Sequence, residues 1–293
     1  MRILNHSQTS SGGLLASLLR AAGLLFLWVN LCLNAYAQDQ VPSPQLKPAW
    51  DDAAKLLFED TCIKFEKAIK DYATDPLVLR EAQYGLALGL INKQPKTEGN
   101  LNRANELFDT VQKTSLDDNM GISSLYYQGR IYEVHRAKIS EDKALAIYRD
   151  LFTKYPTHPL AQMAYVKYGA ISLYQVLPPD EKIKQVLSYE EQGGFLTSPD
   201  AQRGFHSLLS QVYTLQKLNP DKTLDHLFAL EKVGVSSVDA RKDMVVRLAE
   251  VSRLQNKKTL AIFYYEKFLN DYSWDSRRYS IQKRLETLKG TEL

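Results

Sequence analysis

The sequence has few cysteines and little net charge. Only Cys32 and Cys62 occur among its 293 residues, and the formal charge is +3. A chain so close to neutral gives no electrostatic basis for binding nucleic acid or an anionic membrane surface. Cys62 is the one cysteine beyond residue 37, so we expect a fold held by packing, without an internal disulfide. Its apolar neighbours predict a buried thiol, not a reactive one.

Signals of β-structure and of common catalytic motifs are also absent from the sequence. There is no sustained apolar–polar alternation and no Asn-Gly or Asp-Gly hairpin turn. The sequence contains no HExxH, no glycine-rich phosphate loop and no G-x-S-x-G elbow. The histidines after residue 37 are scattered, and we predict no metal and no cofactor. His206 and His226 are expected to face solvent or to pack at a helix edge.

The first 37 residues predict a secretory signal peptide. An apolar core occupies 21–33 (AAGLLFLWVNLCL), arginines but no acids precede it, and Ala35 and Ala37 stand at the two positions that a signal peptidase reads. We therefore expect an exported protein, periplasmic or secreted, whose mature chain begins at Gln38. The alternatives are an uncleaved signal anchor and a lipid-modified Cys32, although Leu31 is bulky for a lipidation site.

The rest of the chain divides into a linker and a helical domain. Residues 38–49 contain three prolines and no periodicity, which predicts an extended linker. From residue 50 to 293, apolar residues recur at three- and four-residue spacing, as in amphipathic helices. Proline and glycine interrupt this pattern where turns between helices are expected. The sequence therefore predicts an all-α domain with short connections.

Small residues recur along this domain at a nearly fixed spacing of about 40 residues. Each stands within a helical run of aromatic and aliphatic residues: Gly85, Gly129, Gly169, Ser210 and Ala249. We number these five copies in chain order. A period of this size is typical of stacked helical hairpins, which more often hold another protein than carry out chemistry.

The second copy carries the most distinct pattern. Ala144 is followed by Tyr148, Leu151 and Pro156, so one face of its second helix presents a small, an aromatic and an aliphatic residue before a terminating proline. This spacing resembles the second-helix signature of the tetratricopeptide repeat (TPR) family. The segment over 151–169 (LFTKYPTHPLAQMAYVKYG) is similar to repeat junctions in periplasmic bacterial members of that family.

The resemblance extends to the fifth copy, where Ala249 and Ala261 keep the family's interval between small positions. It implies a right-handed superhelical solenoid of about five TPR-like hairpins. The sequence departs from the family pattern through extra residues at 94–102 and 136–140, and through Thr223 where the second helix of the fourth copy would have alanine. The register of the third and fourth copies stays open.

In the TPR family the first helices of the hairpins line a concave binding surface. The resemblance therefore implies a protein or peptide partner and a scaffold without catalytic residues; membrane contact is expected only through an uncleaved signal segment. The lysine and asparagine set of the carboxylate-clamp subfamily is not visible. From helix-face spacing, the residues expected on the binding surface are Tyr126, Arg130, Glu133, Gln211, Glu250 and Arg253.

The sequence leaves two other functions open. Glu190 and Glu191 with Phe195 are similar to the catalytic glutamate region of lytic transglycosylases, in which a carboxyl group of raised pKa protonates a glycosidic oxygen. Their position inside the repeats favours instead a solvated helix end capped by Gly193 and Gly194. An outer-membrane assembly factor, similar to the helical-repeat lipoprotein of the β-barrel assembly machine, is the other alternative and would require a lipid anchor.

Overall fold

The computed structural model describes residues 42–290, and over that range the chain is helical and contains no strand. The all-α prediction is confirmed. Single turns of 3₁₀-helix occupy Pro44–Leu46 and Gly193–Phe195, and a π-helical turn occupies Ile131–His135. In chain order the α-helices are α1 (Lys47–Ala54), α2 (Phe58–Asp71), α3 (Pro76–Asn92), α4 (Glu98–Thr114), α5 (Asn119–Arg130), α6 (Glu141–Lys154), α7 (Pro159–Ser172), α8 (Pro179–Gln192), α9 (Pro199–Leu215), α10 (Pro220–Val233), α11 (Val238–Leu254), α12 (Lys258–Asp271) and α13 (Arg278–Lys289).

Local sequence explains where many of these helices begin. Helices α3, α7, α8, α9 and α10 each start at a proline, whose missing N–H is not needed in a first turn. The Asp75 carboxylate caps α3 by accepting from the Leu77 and Val78 N–H groups, both at 3.2 Å. Asn219 caps α10 in the same way. Several of the breaks expected from proline, those at Pro76, Pro179, Pro199 and Pro220, therefore coincide with helix starts.

The helical part begins earlier than the predicted linker over 38–49 allows. The turn Pro44–Leu46 leads directly into α1 at Lys47, and Leu46 is only 1% exposed. The Trp50 indole N–H donates to Glu81 Oε1 at 2.8 Å, which fixes the start of α1 on α3. Residues 44–49 are therefore helical, and the buried side chains of Leu46 and Ala49 hold them against the rest of the chain. The predicted signal peptide and the start of the predicted linker lie outside the described residues.

Each helix packs chiefly on its neighbour in sequence, and aromatic rings fit against small residues at these contacts. A methyl group added to Gly129 would lie 2.4 Å from Tyr148 Cε1, and one added to Gly169 would lie 2.3 Å from Tyr189 Cζ. Each ring comes from the following helix. The glycines at these two positions therefore permit close helix approach, as the repeat pattern predicted.

Gly85 serves the same purpose toward a different neighbour. A methyl group there would lie 2.3 Å from Cζ of Phe65, which belongs to the preceding helix α2. Helices α1 and α2 therefore form a further packed pair ahead of the first predicted copy. The helical pairing begins one pair earlier than the period of small residues indicates.

The chain divides between Ser124 and Leu125, within α5, into two compact units. In the first unit the rings of Trp50, Phe65, Tyr84 and Phe108 contact one another in a continuous series. In the second unit one core cluster surrounds Tyr165 and a second one includes residues of α10 to α13. Each unit is therefore held by aromatic packing between sequential helices.

Candidate functional site

The predicted binding residues of the second copy lie in a buried cluster in the second unit. Tyr126 is 4% exposed and Arg130 is 2% exposed, so neither projects from the chain as predicted. Arg130 donates to Glu133 Oε2, and the Tyr148 hydroxyl donates to the same oxygen at 2.6 Å. Contact of these residues with a partner stays a prediction, but their immediate role is to join α6 to the helix before it.

The charges in this cluster stabilise one another. Burial alone would raise the pKa of Glu133, but the Arg130 charge and the Tyr148 hydrogen bond outweigh it, and the pKa falls below its usual value. Burial and the nearby Arg130 charge lower the pKa of Lys167 to about 8, although Glu133 opposes them. Because Glu133 offsets buried positive charge here, removing its carboxylate is expected to lower the free energy of unfolding.

The predicted binding residues of α9 and α11 lie nearer the surface. Gln211 is exposed, and its amide donates only to Ser207 Oγ at 3.3 Å within the same helix. The Arg253 side chain is 39% exposed and donates to Glu250 Oε2 at 3.0 Å. Gln211 and Arg253 are thus accessible to a partner, whereas Glu250 is half-buried.

Glu250 repeats the arrangement found at Glu133. It accepts from the Tyr265 hydroxyl at 2.6 Å, and from Arg253 and Arg284. In both cases the acceptor stands 15 residues before the tyrosine of the following helix. These tyrosine–glutamate links were missed from sequence, although the equal spacing was a signal that could have found them. They are interhelical ties, each between a first and a second helix.

Glu190 is the centre of a further polar cluster, joining α8, α9 and α10. Its carboxylate accepts from Lys222 Nζ at 2.6 Å and from the Tyr213 hydroxyl, and it is 3.6 Å from His226 Nε2. Glu191, in contrast, is exposed. The expected solvated helix end is therefore found for Glu191 but not for Glu190, because side chains from the next two helices converge on Glu190.

Neither histidine of this cluster faces solvent, which was one of the two positions expected for them. His226 is 5% exposed, and its Nδ1 lies 3.0 Å from Nδ1 of the half-buried His206. The Tyr213 ring stacks on the His226 ring, with centroids 5.7 Å apart. Burial lowers the pKa of His226 to about 4, despite the opposing Glu190 charge. Burial also lowers the pKa of His206, so burial favours the neutral form of both rings.

The side chains that could carry out chemistry are the metal-ligating types, the Cys62 thiol and the Glu190 carboxylate. Among residues 42–290, no group of three or more His, Cys, Asp or Glu side chains is placed to hold a metal ion. Burial raises the pKa of the Cys62 thiol to about 11, which suppresses the reactive thiolate. Burial alone would raise the pKa of Glu190, but hydrogen bonds from Lys222 and Tyr213 lower it. That direction is opposite to the one a general acid requires.

Comparisons with known proteins do not add a relative. No protein-family model matches the chain, and no curated protein matches it either. Within residues 42–290, no helix combines the length and apolar character needed to cross a membrane.

Proposed function

We propose that this chain is an exported, non-catalytic scaffold of TPR-like helical hairpins that binds another protein. The observation that carries the proposal is the series of helix pairs joined by an aromatic ring set against a glycine, as at Gly129–Tyr148 and Gly169–Tyr189. Such joints close each pair tightly, and in TPR-like arrays pairs of this kind stack into a right-handed superhelical solenoid. Arrays of this kind present long surfaces, suited to an extended or helical partner.

The accessible part of the proposed surface lies on α9 and α11. Gln211 and Leu215 are one helical turn apart on α9, and Leu215 is 65% exposed. On α11, Arg253 and the neighbouring Leu254 are accessible, and Leu254 is 70% exposed. Exposed aliphatic side chains beside polar ones match the composition of protein interfaces. We therefore assign partner contact to Gln211 and Arg253, with Leu215 and Leu254 supplying apolar contact.

The same geometry favours a scaffold over the lytic enzyme. Glu190 holds three helices together and has a lowered pKa, whereas glycosidic bond cleavage needs a carboxyl group that stays protonated near neutral pH. Glu191 is exposed, so it lacks the enclosed site in which a glycosidase holds its general acid. On this proposal, a zymogram on peptidoglycan shows no clearing by the wild-type protein, and Glu191→Gln changes nothing.

The experiment that tests the scaffold proposal is chemical crosslinking in intact cells that produce the protein, followed by mass spectrometry. We expect one or a few proteins crosslinked well above their abundance. The Gln211→Ala/Arg253→Ala variant should lose most of this signal with little change in melting temperature. A matched Lys184→Ala/Lys232→Ala variant, which changes two exposed side chains on α8 and α10, should keep the signal. Absence of any enriched protein would contradict the proposal.

The proposed export has a separate test in the mass of the mature chain. An N-terminus at Gln38 is the expected result for a cleaved signal peptide. An intact N-terminus would instead favour the signal anchor. A lipid on Cys32 would favour the outer-membrane assembly alternative.

A further inference from the structure

Arg247 on α11 is a half-buried arginine that forms no ion pair with any acid among residues 42–290. Its Nη2 group donates to Ser210 Oγ on α9 at 3.1 Å, and that acceptor is neutral. Burial lowers the pKa of Arg247 below its usual value, and Tyr174 and Asp243 oppose this only in part. The guanidinium is therefore partly removed from water without a negative charge to compensate it.

The two most buried arginines of the described chain are each paired with an acid of the chain. Arg80 donates from Nη2 to Asp118 Oδ1 at 2.8 Å, and Arg130 donates to Glu133 Oε2. Buried charges in proteins are normally paired in this way. Arg247 has only a neutral acceptor, so a carboxylate of a binding partner would complete the same kind of pair.

The acids nearest to Arg247 along α11 bind other cations. Asp243, about one turn before it, pairs with Arg277 Nη1 at 2.6 Å. Glu250, almost one turn after it, accepts from Arg253 Nη2 at 3.0 Å. Neither carboxylate is therefore free to neutralise the Arg247 guanidinium.

Ser210 holds the guanidinium and leaves part of it accessible. The Ser210 hydroxyl donates to the Ser207 carbonyl at 2.8 Å, so its oxygen is left to accept from Arg247. The Nε and Nη1 groups of Arg247 donate to no residue among 42–290, and neither is an enclosed atom without a partner. Both groups therefore reach solvent, where a carboxylate can accept from them. This gives a role to the serine of the fourth copy, at a position where the other copies have glycine or alanine.

An exposed leucine lies on the same side of α11 as Arg247. Leu254 follows Arg247 by seven residues, which is two helical turns and about 10.5 Å along the helix axis. Leu254 is 70% exposed, whereas Val251 between them packs on the core of the second unit. This side of α11 therefore suits a segment that carries an acid and an apolar residue at that separation.

We propose that Arg247 binds a glutamate or aspartate side chain of the protein partner, while an apolar residue of the same segment packs on Leu254. The inference rests on the proposed function and adds the chemistry that the partner must carry. No second cation of the described residues acts appreciably on Arg247, so the site neutralises one negative charge, as a side-chain carboxylate has. A phosphate group carries more charge than this. A partner with an amide in place of the acid would leave the guanidinium uncompensated, which makes the pair a determinant of specificity.

The test is selection of random peptides displayed on phage against the purified full-length mature chain, followed by fluorescence anisotropy of the selected peptides with amidated C-termini. We expect the wild-type chain to enrich peptides that carry an acid and an apolar residue. Replacing that acid by its amide should weaken binding to the wild type at least about tenfold. The same peptide change should weaken binding to Arg247→Gln less than about twofold, because the carboxylate has lost its partner. The control Arg241→Gln removes an exposed arginine from the same helix and should bind the selected peptides as the wild type does.

Three results would overturn the inference: enrichment of peptides without an acid, an equal cost of the acid-to-amide change in the wild type and in Arg247→Gln, or binding that requires a free C-terminal carboxylate. The last result would assign Arg247 to chain ends. Arg247→Lys keeps the charge but loses the planar fork, so its affinity should fall between those of the wild type and Arg247→Gln.

Folding of the variants is checked by thermal unfolding. We expect Arg247→Gln to melt at the wild-type temperature, because the guanidinium has no acid partner among the described residues. Selected peptides without an acid would contradict this inference but leave the proposed function standing. Enrichment of no peptide by the wild type would contradict both.

Discussion

The substitution Gly169→Ala tests whether the glycine–aromatic contacts hold the helices together. The added methyl group would lie 2.3 Å from both Cζ and Oη of Tyr189. The Tyr189 ring has little room to move, because it stacks on Tyr165 with centroids 4.5 Å apart and an interplanar angle of 2°. Its hydroxyl also donates to the Tyr165 carbonyl at 3.2 Å. Relief of the clash therefore disturbs a stack and a buried hydrogen bond.

The magnitude follows from opposing effects. Overpacking of a close helix contact costs about 1–3 kcal/mol. Loss of the Tyr189 hydrogen bond adds about 1 kcal/mol. Alanine is favoured over glycine inside a helix by about 1 kcal/mol, which offsets part of this cost. We expect a net loss of about 2 kcal/mol in the free energy of unfolding.

Thermal unfolding followed by circular dichroism measures this loss. For a chain of this size, a change of about 2 kcal/mol lowers the melting temperature by roughly 4–8 °C. The matched control is Gly194→Ala, because a methyl group added at Gly194 meets no atom within 4 Å. The control should change stability by less than about 0.5 kcal/mol. An unchanged or higher melting temperature for Gly169→Ala would refute the packing account.

Three other predictions concern the buried polar groups. The pKa of His226 is about 4 in the folded chain and near 6.5 in the unfolded chain. Its contribution to the free energy of unfolding is therefore constant above pH 6.5, and stability is lost as the pH falls toward 4, by up to about 3 kcal/mol. His226→Phe should flatten the measured curve of stability against pH, and parallel curves for the variant and the wild type would contradict this. Glu133→Gln leaves the buried Arg130 charge less compensated and should lower the free energy of unfolding, measured with urea, by about 3 kcal/mol. A loss below about 0.5 kcal/mol would contradict the stabilising role of Glu133. Cys62 should react with a thiol reagent only on unfolding, so fast labelling of the native protein would contradict its burial.

Local sequence signals predicted the helices and part of their packing. Prolines such as Pro76 and Pro220 act on their own turn of backbone, so their helix starts were readable from sequence. Gly129 and Tyr148 were also identified as packing residues, because small and aromatic residues at helical spacing indicate close contact. The sequence did not show which helix supplies the aromatic ring that packs on each glycine, because a small residue can fit against either neighbouring helix. At Gly85 the ring comes from the preceding helix.

The polar sites were less predictable because their partners are distant in sequence. Helix-face spacing placed Arg130 on a binding surface, but the Glu133 carboxylate, which also accepts from Tyr148, allows the guanidinium to be buried. His226 was expected to face solvent or to pack at a helix edge, but it lies beside Glu190, which also binds Lys222. Side chains of this kind gain their environment only when several helices meet, so no local pattern specifies it.

The proposed function assigns partner contact to the exposed residues of α9 and α11. The most direct measurement places a photo-crosslinking amino acid at Gln211 in one variant and at Lys184, an exposed control site on α8, in another. After illumination of intact cells, we expect a discrete crosslinked protein from the Gln211 variant and only background from the Lys184 variant. Background from both sites, or equal crosslinking from both, would contradict this assignment.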